Sequence, residues 1–137
     1  MKKPTLFLAL LAAIAAVQAA DLRIEVTLPA QKQGAVMAAL FDKSDSFPRG
    51  SPLLTAKAQP ADGKAVVKLG GLPEGEYAAA VFLDENGNAK LDANVFGVPT
   101  ELFGFSRNAR SPLGPPTFAD AAFRVGPGES LQSIELK

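Results

Sequence analysis

Neither cysteine nor histidine occurs in this 137-residue chain, and it has a single tyrosine. The missing cysteine excludes a disulfide framework and a lipoprotein anchor, so an exported domain of this size must hold together by its core or by a bound ion. The missing histidine removes the commonest general base, the usual zinc ligand and the ordinary pH switch together. Charge of one sign is lacking too. Without Lys2 and Lys3 the balance is 12 basic against 14 acidic residues, and no basic patch of the kind a phosphate backbone demands is visible, which argues against nucleic acid. Long apolar runs are confined to the start. Met1-Lys2-Lys3 followed by apolar Leu6 to Val17 and a Val17-Gln18-Ala19 site reads as a bacterial signal peptide over 1–19. A membrane anchor needs about 20 apolar residues, more than this run supplies. The remainder, 20–137, reads as one domain of an exported protein, periplasmic or extracellular, monomeric and with no membrane span.

What is present is strand patterning. Leu22, Ile24, Val26 and Leu28 alternate with Arg23, Glu25 and Thr27, the period-two signature of a strand with one wet face. Ala35 to Phe41 is apolar on both faces, like a central strand. After the Asp42–Pro52 loop, in which Phe47 is expected to plug the end of a sandwich, Leu53 to Gln59 is a weaker strand. The turn at Asp62-Gly63 then lets Lys64 to Leu69 pair back. Gly70-Gly71-Leu72-Pro73-Glu74-Gly75-Glu76-Tyr77 is a turn feeding the strand Tyr77–Leu83. Ala121–Val125 and Leu131–Leu136 close the fold. About seven short strands, no convincing helix and no repeat or linker predict an all-β, single Greek-key β-sandwich with one long ordered loop.

The chemistry gathers in that loop. Asp84, Asn86, Asn88 and Asp92 place oxygen-bearing side chains at positions 1, 3, 5 and 9, with the Lys90 carbonyl at position 7. Calcium takes six to eight oxygen ligands, and alternate residues of a tight loop can supply them. Position 12 is Val95, so the bidentate Glu of an EF-hand is missing, and the pattern is closer to the shorter calcium loops of extracellular proteins. Glu85 and Glu101 could add carboxylates. The alternative is an Asn-Gly turn whose side chains cap its own backbone. Beyond it, Asn94 to Asp120 is rich in Gly and Pro yet carries four Phe, too apolar for a tail. Phe96, Phe103 and Phe105, with Arg107 and Arg110, offer an aromatic and cationic surface for a glycan, a peptide or an envelope protein; the alternative is that the rings cap the sandwich.

Two resemblances attach to these residues. Leu72-Pro73-Glu74-Gly75-Glu76-Tyr77 resembles the entry of transthyretin-like and carboxypeptidase-regulatory-like sandwiches, which implies a structural Tyr77 at a sheet corner. Asp84-Glu85-Asn86-Gly87-Asn88-Ala89-Lys90-Leu91-Asp92, Gly97-x-Pro99-x-Glu101, Gly104-Phe105-Ser106-x-Asn108-Ala109 and Gly114-Pro115-Pro116-x-Phe118-x-x-Ala121 resemble a family of secreted bacterial proteins known as domain-of-unknown-function family 2141. The chain departs from that pattern at Ala89, where Gly is usual, at Leu102-Phe103, where Gly-Tyr is common, and at Arg107, where Asn is common. The resemblance implies export and a sandwich, and no established activity. Ser106 lies in no nucleophile elbow and has no histidine to activate it. A carboxylate pair such as Asp84 with Glu101 or Asp120 could cleave a glycosidic bond in principle, but turn acids and calcium ligands account for these residues more simply. The expectation is a non-enzymatic exported binding or accessory domain with a calcium loop, the alternatives being a purely structural envelope protein or a carboxylate-based hydrolase.

Overall fold

The alternation of Leu22, Ile24 and Val26 with charged neighbours becomes β1 (Ala20–Thr27), whose apolar side chains are all buried. A computed structural model describes residues 19–137, so the expected leader lies outside the described residues except for Ala19. β1 is the middle strand of a three-stranded sheet. It pairs antiparallel with β4 (Lys64–Leu72) and parallel with β8 (Glu129–Glu135). Opposite lies a five-stranded sheet in which β3 (Leu54–Ala58), β2 (Ala35–Phe41), β5 (Gly75–Asp84) and β6 (Phe103–Phe105) run in that order, and β7 (Phe123–Val125) pairs with the first residues of β5. The described residues therefore form an all-β sandwich of eight strands in two sheets.

Between the sheets sits an aliphatic core. Leu22, Ile24 and Val26 from β1 and Val67 from β4 meet Val36 and Leu40 from β2, Val81 and Leu83 from β5, and Ile134 from β8. Each is at most 2% exposed, and burying such a side chain contributes about 1.5–3 kcal/mol. Tyr77 lies in this core at the start of β5, its hydroxyl donating to the Pro73 carbonyl at 2.6 Å. Burial, reinforced by the Asp42 carboxylate, raises its pKa above the ordinary tyrosine value.

Three expectations need correction. The Asp62-Gly63 turn forms, both residues at positive φ, but it does not fold a hairpin of β3 on β4. β3 pairs with β2 and β4 with β1, so the chain changes sheet between them, and only the Ala61–Lys64 bridge joins the turn's flanks. The weak apolar content of Leu54–Ala58 suits an edge strand, which a hairpin reading of local pattern does not detect. Second, β4 runs on through Gly70-Gly71 to Leu72, with a register shift against β1 between Ala20 and Leu22; the expected turn shrinks to Pro73-Glu74. Third, the long loop is not without regular structure. It contains β6, a 3-10 turn at Ser106–Asn108 and a one-turn helix, α1 (Phe118–Ala121), closed by a reciprocal Thr117–Asp120 capping box.

A second cluster lies on the far side of the five-stranded sheet. The outward residues of β2 and β5 are mostly small, Ala39, Ala78 and Ala80, and Phe41, Phe47 and Phe105 cover part of them together with Phe118. Phe47 therefore covers the outer face of this sheet, where its ring stands edge-on to Phe41, Phe105 and Phe118 with centroids 5.4–6.0 Å apart. Gly104 lets β6 approach the other sheet: a Cβ there would lie 2.8 Å from the Glu135 carbonyl oxygen.

Candidate functional site

Because β5 alternates, its outer face carries Ala78 and Ala80 ahead of Phe82 while its inner face carries core residues, and the loops stand back from part of that outer face. The result is a cleft of about 420 Å³. Ala39 and Ala80 are its floor, Phe82, Phe103 and Phe105 line it from β5 and β6, and the segments Pro48-Arg49, Gly97–Pro99 and Gly114-Pro115 form its walls. The size lies within the range of small-ligand sites, which are concave and mostly apolar with few polar groups. Arg49 is the only charged residue of the lining. Arg110 stands over one of the lining rings, its guanidinium 5.8 Å from the centre of Phe103, a cation–π distance.

The walls are ordered by their own hydrogen bonds. The Asn94 side-chain oxygen accepts from the Phe96 and Val98 amides at 2.9 and 3.1 Å, an arrangement that fixes the loop while leaving Val95 and Phe96 94% and 87% exposed. Leu113, on the opposite wall, is 96% exposed. Large apolar residues so bare on neighbouring loops mark an interaction surface more often than chance.

Ser106 anchors this layer to the sandwich. On that side of β5, β7 pairs with Gly75–Tyr77 and β6 with Ala80–Phe82, so the strand lacks a partner between them. The fully buried Ser106 hydroxyl fills the gap: it accepts from the Ala79 amide at 2.9 Å and donates to the Ala121 carbonyl at 2.6 Å. The neighbouring turn is held to β8, where the Arg107 amide donates to the Gln132 side chain and the Glu135 amide to the Asn108 side chain.

The Asp84 loop forms a second constellation. Asp84 and Glu101 are buried carboxylates. Asp84 accepts from the Gly87 and Ala89 amides at 2.9 and 2.8 Å. Glu101 accepts from the Glu85 amide at 2.6 Å and the Asp92 amide at 3.0 Å, so it clamps both ends of the loop. The Asn86 and Asn88 side chains both donate to the Asp92 carboxylate, and their oxygens accept from the Asn88 and Lys90 amides. Asp84, Asn86, Asn88 and Asp92 are thus gathered on one short loop, with their hydrogen-bonding capacity turned on one another and on the backbone. Among the described residues no three Asp, Glu, His or Cys side chains form a metal-holding group, so any ion here would depend on amide and carbonyl oxygens.

Of the residues expected to bind a ligand, Phe103 and Phe105 line the cleft, while Glu101 serves the Asp84 loop and Arg107 lies outside the lining. Sequence reasoning missed the alanine floor and Arg49. Ala80 carried no distinguishing signal, since a small outward residue reads alike over a cleft and in water.

Residues 24–133 match the model of a family described as an uncharacterized protein conserved in bacteria (DUF2141), in agreement with the four motifs. No curated protein matches the chain. Among solved structures, a mutant of the pilus-presented adhesin Spy0125 (Cpa) aligns at 16% identity and a TM-score of 0.29, covering 90% of this chain and 28% of that one. The chain thus spans just over a quarter of that protein's length. Among the described residues no helix is long and apolar enough to cross a membrane.

Proposed function

The chain belongs to this bacterial family, and from that footing we propose that it is a small exported binding module whose ligand site is the cleft on the outer face of the five-stranded sheet. The alanine floor carries the reading. Elsewhere the same face is closed by Phe rings; over Ala39 and Ala80 it is left open, with apolar walls and bare apolar loop residues above. A sheet needing only stability would fill that space. Binding rather than catalysis is supported by Ser106, whose hydroxyl is committed between Ala79 and Ala121, and by carboxylates engaged as backbone acceptors. The test is titration with the neutral apolar fluorophore N-phenyl-1-naphthylamine. Saturable enhancement is expected from the native protein and its loss from Ala80→Leu, which fills the floor. Undiminished binding by a folded Ala80→Leu protein, or no binding by the native one, would overturn the reading.

A second reading concerns calcium. We propose that the Asp84 loop takes the ion through Asp84, Asn86, Asn88 and Asp92 and the Lys90 carbonyl, supported by the convergence of the four side chains on one turn. Asn86 and Asn88 would exchange their internal bonds for ligation, which together with two neutral ligands places affinity at the weak end of roughly 10⁻⁴–10⁻³ M. Millimolar calcium should raise the melting temperature of chelator-treated protein by a few degrees, and Asp92→Ala should erase the rise. Identical melts would leave the loop a capped turn.

A further inference from the structure

We infer that the occupant of the cleft is a single-chain amphiphile with an anionic head, a long-chain carboxylate. This rests on the binding reading above and goes beyond it in fixing the ligand's chemistry. Three observations carry it. The lining is mostly apolar, with Ala39, Ala80, Phe82 and Val98 in it and only Arg49 and Ser111 as polar side chains, so it offers an alkyl chain burial and a polar ligand few partners. The volume of about 420 Å³ suits one chain and not a folded segment of protein. The charge is one-sided: among the described residues Arg49 is the only ionised group of the lining, no carboxylate joins it, and Arg110 stacks on the lining ring of Phe103. This distribution contrasts with the chain as a whole, where acidic and basic residues balance.

The parts fall into two tasks. Affinity comes from the tail: each methylene the cleft buries tightens binding about fourfold. The arginines are exposed, so water and salt screen them, and they choose the sign of the head more than they add to strength. Arg suits a carboxylate because its planar fork donates two parallel hydrogen bonds. Val95, Phe96 and Leu113, bare on loops whose next residues line the cleft, extend the apolar surface past the mouth, where a longer tail or its first methylenes would lie.

The experiment displaces N-phenyl-1-naphthylamine from the mature protein with three twelve-carbon probes: dodecanoate, dodecanol and dodecyltrimethylammonium, all below their micellar concentrations. Dodecanoate is expected to displace at concentrations about five- to tenfold lower than the cationic probe at low salt, with dodecanol between them. High salt should shrink the gap. In Arg49→Gln/Arg110→Gln the dodecanoate-to-dodecanol ratio should fall to near unity. Equal potency of the two charged probes would overturn the anionic head and leave the apolar cleft standing. Failure of all three to displace bound dye would overturn the amphiphile while keeping a binding site. A native protein that takes up no dye would sink both readings.

Discussion

On its inner face β5 presents Tyr77, Ala79, Val81 and Leu83 to the opposite sheet; on its outer face it presents Ala78, Ala80 and Phe82 to loops. The inner side is filled by strands on both sides, with aliphatic residues in a closed layer. On the outer side the floor is small and large groups are brought over it from elsewhere in the chain: Phe47 from one loop, Phe118 from α1, Phe105 from the three-residue strand β6 beside β5. One layer can be close-packed because both its walls are regular. The other is assembled from pieces that need not meet everywhere, and the cleft lies where they do not. The closed core and the open cleft are divided between the faces of a single strand.

The largest effect that could break this division comes from truncating each layer in turn. Leu83→Ala should cost about 2–5 kcal/mol, a melting-temperature loss on the order of 10 °C, and leave dye binding per folded molecule intact. Phe103→Ala should cost well under that, since its ring is only partly buried, and should weaken dye binding several-fold. Thermal melts and dye titrations of the two variants decide it; if Phe103→Ala is the more destabilising and binds dye normally, the outer layer is core and not site.

Next in size is Ser106→Ala, which strands the buried Ala79 amide and Ala121 carbonyl. Leaving a buried group unpaired costs about 1–3 kcal/mol. The expected signature is regional: amides of the outer segment around α1 should lose hydrogen-exchange protection while those of β1 and β4 keep theirs. Uniform loss across both sheets would mean that the layers open as one.

A smaller, stabilising change sharpens the contrast. Ala89 and Arg107 sit at φ of +59° and +58°, the left-handed region that costs a residue with a Cβ roughly 1 kcal/mol. Ala89→Gly should therefore raise stability by up to about 1 kcal/mol in denaturant melts without altering dye binding. A loss would show that Ala89 contributes contacts outweighing its strain.

What could be read in advance follows the same division. β2 was legible to the residue, Ala35–Phe41, because an uninterrupted apolar run needs no partner to declare itself. β1 was likewise marked by local period, whereas Tyr77 was marked by the resemblance carried by Leu72–Tyr77. β6 was not, since three residues with a central Gly carry no period, and their strand character comes from pairing with Ala80–Phe82. The sheet change between β3 and β4 is a long-range fact that a tight turn at Asp62-Gly63 conceals. The Asp84 loop was legible as a cluster, but the direction of its hydrogen bonds was not, because amide and carboxylate oxygens serve an ion or a backbone equally well. Phe103 and Phe105 could be suspected from composition; the alanines beneath them could not, since a small outward residue looks the same whether it floors a cleft or faces water.

The parallel pairing of β1 with β8 has a kinetic consequence. Asp21 lies opposite Glu129, more than a hundred residues away along the chain, and the two strands stay in register to Thr27 and Glu135. The middle strand of the three-stranded sheet thus depends on a segment far along the chain before both its edges are paired. Closing so long a loop costs only modestly more than closing a short one, but distant pairings of this kind slow folding into the millisecond-to-second range. Until β8 arrives, Leu22, Ile24 and Val26 lie on a strand with one bare edge, whose unpaired N–H and C=O groups are a template for pairing with another chain.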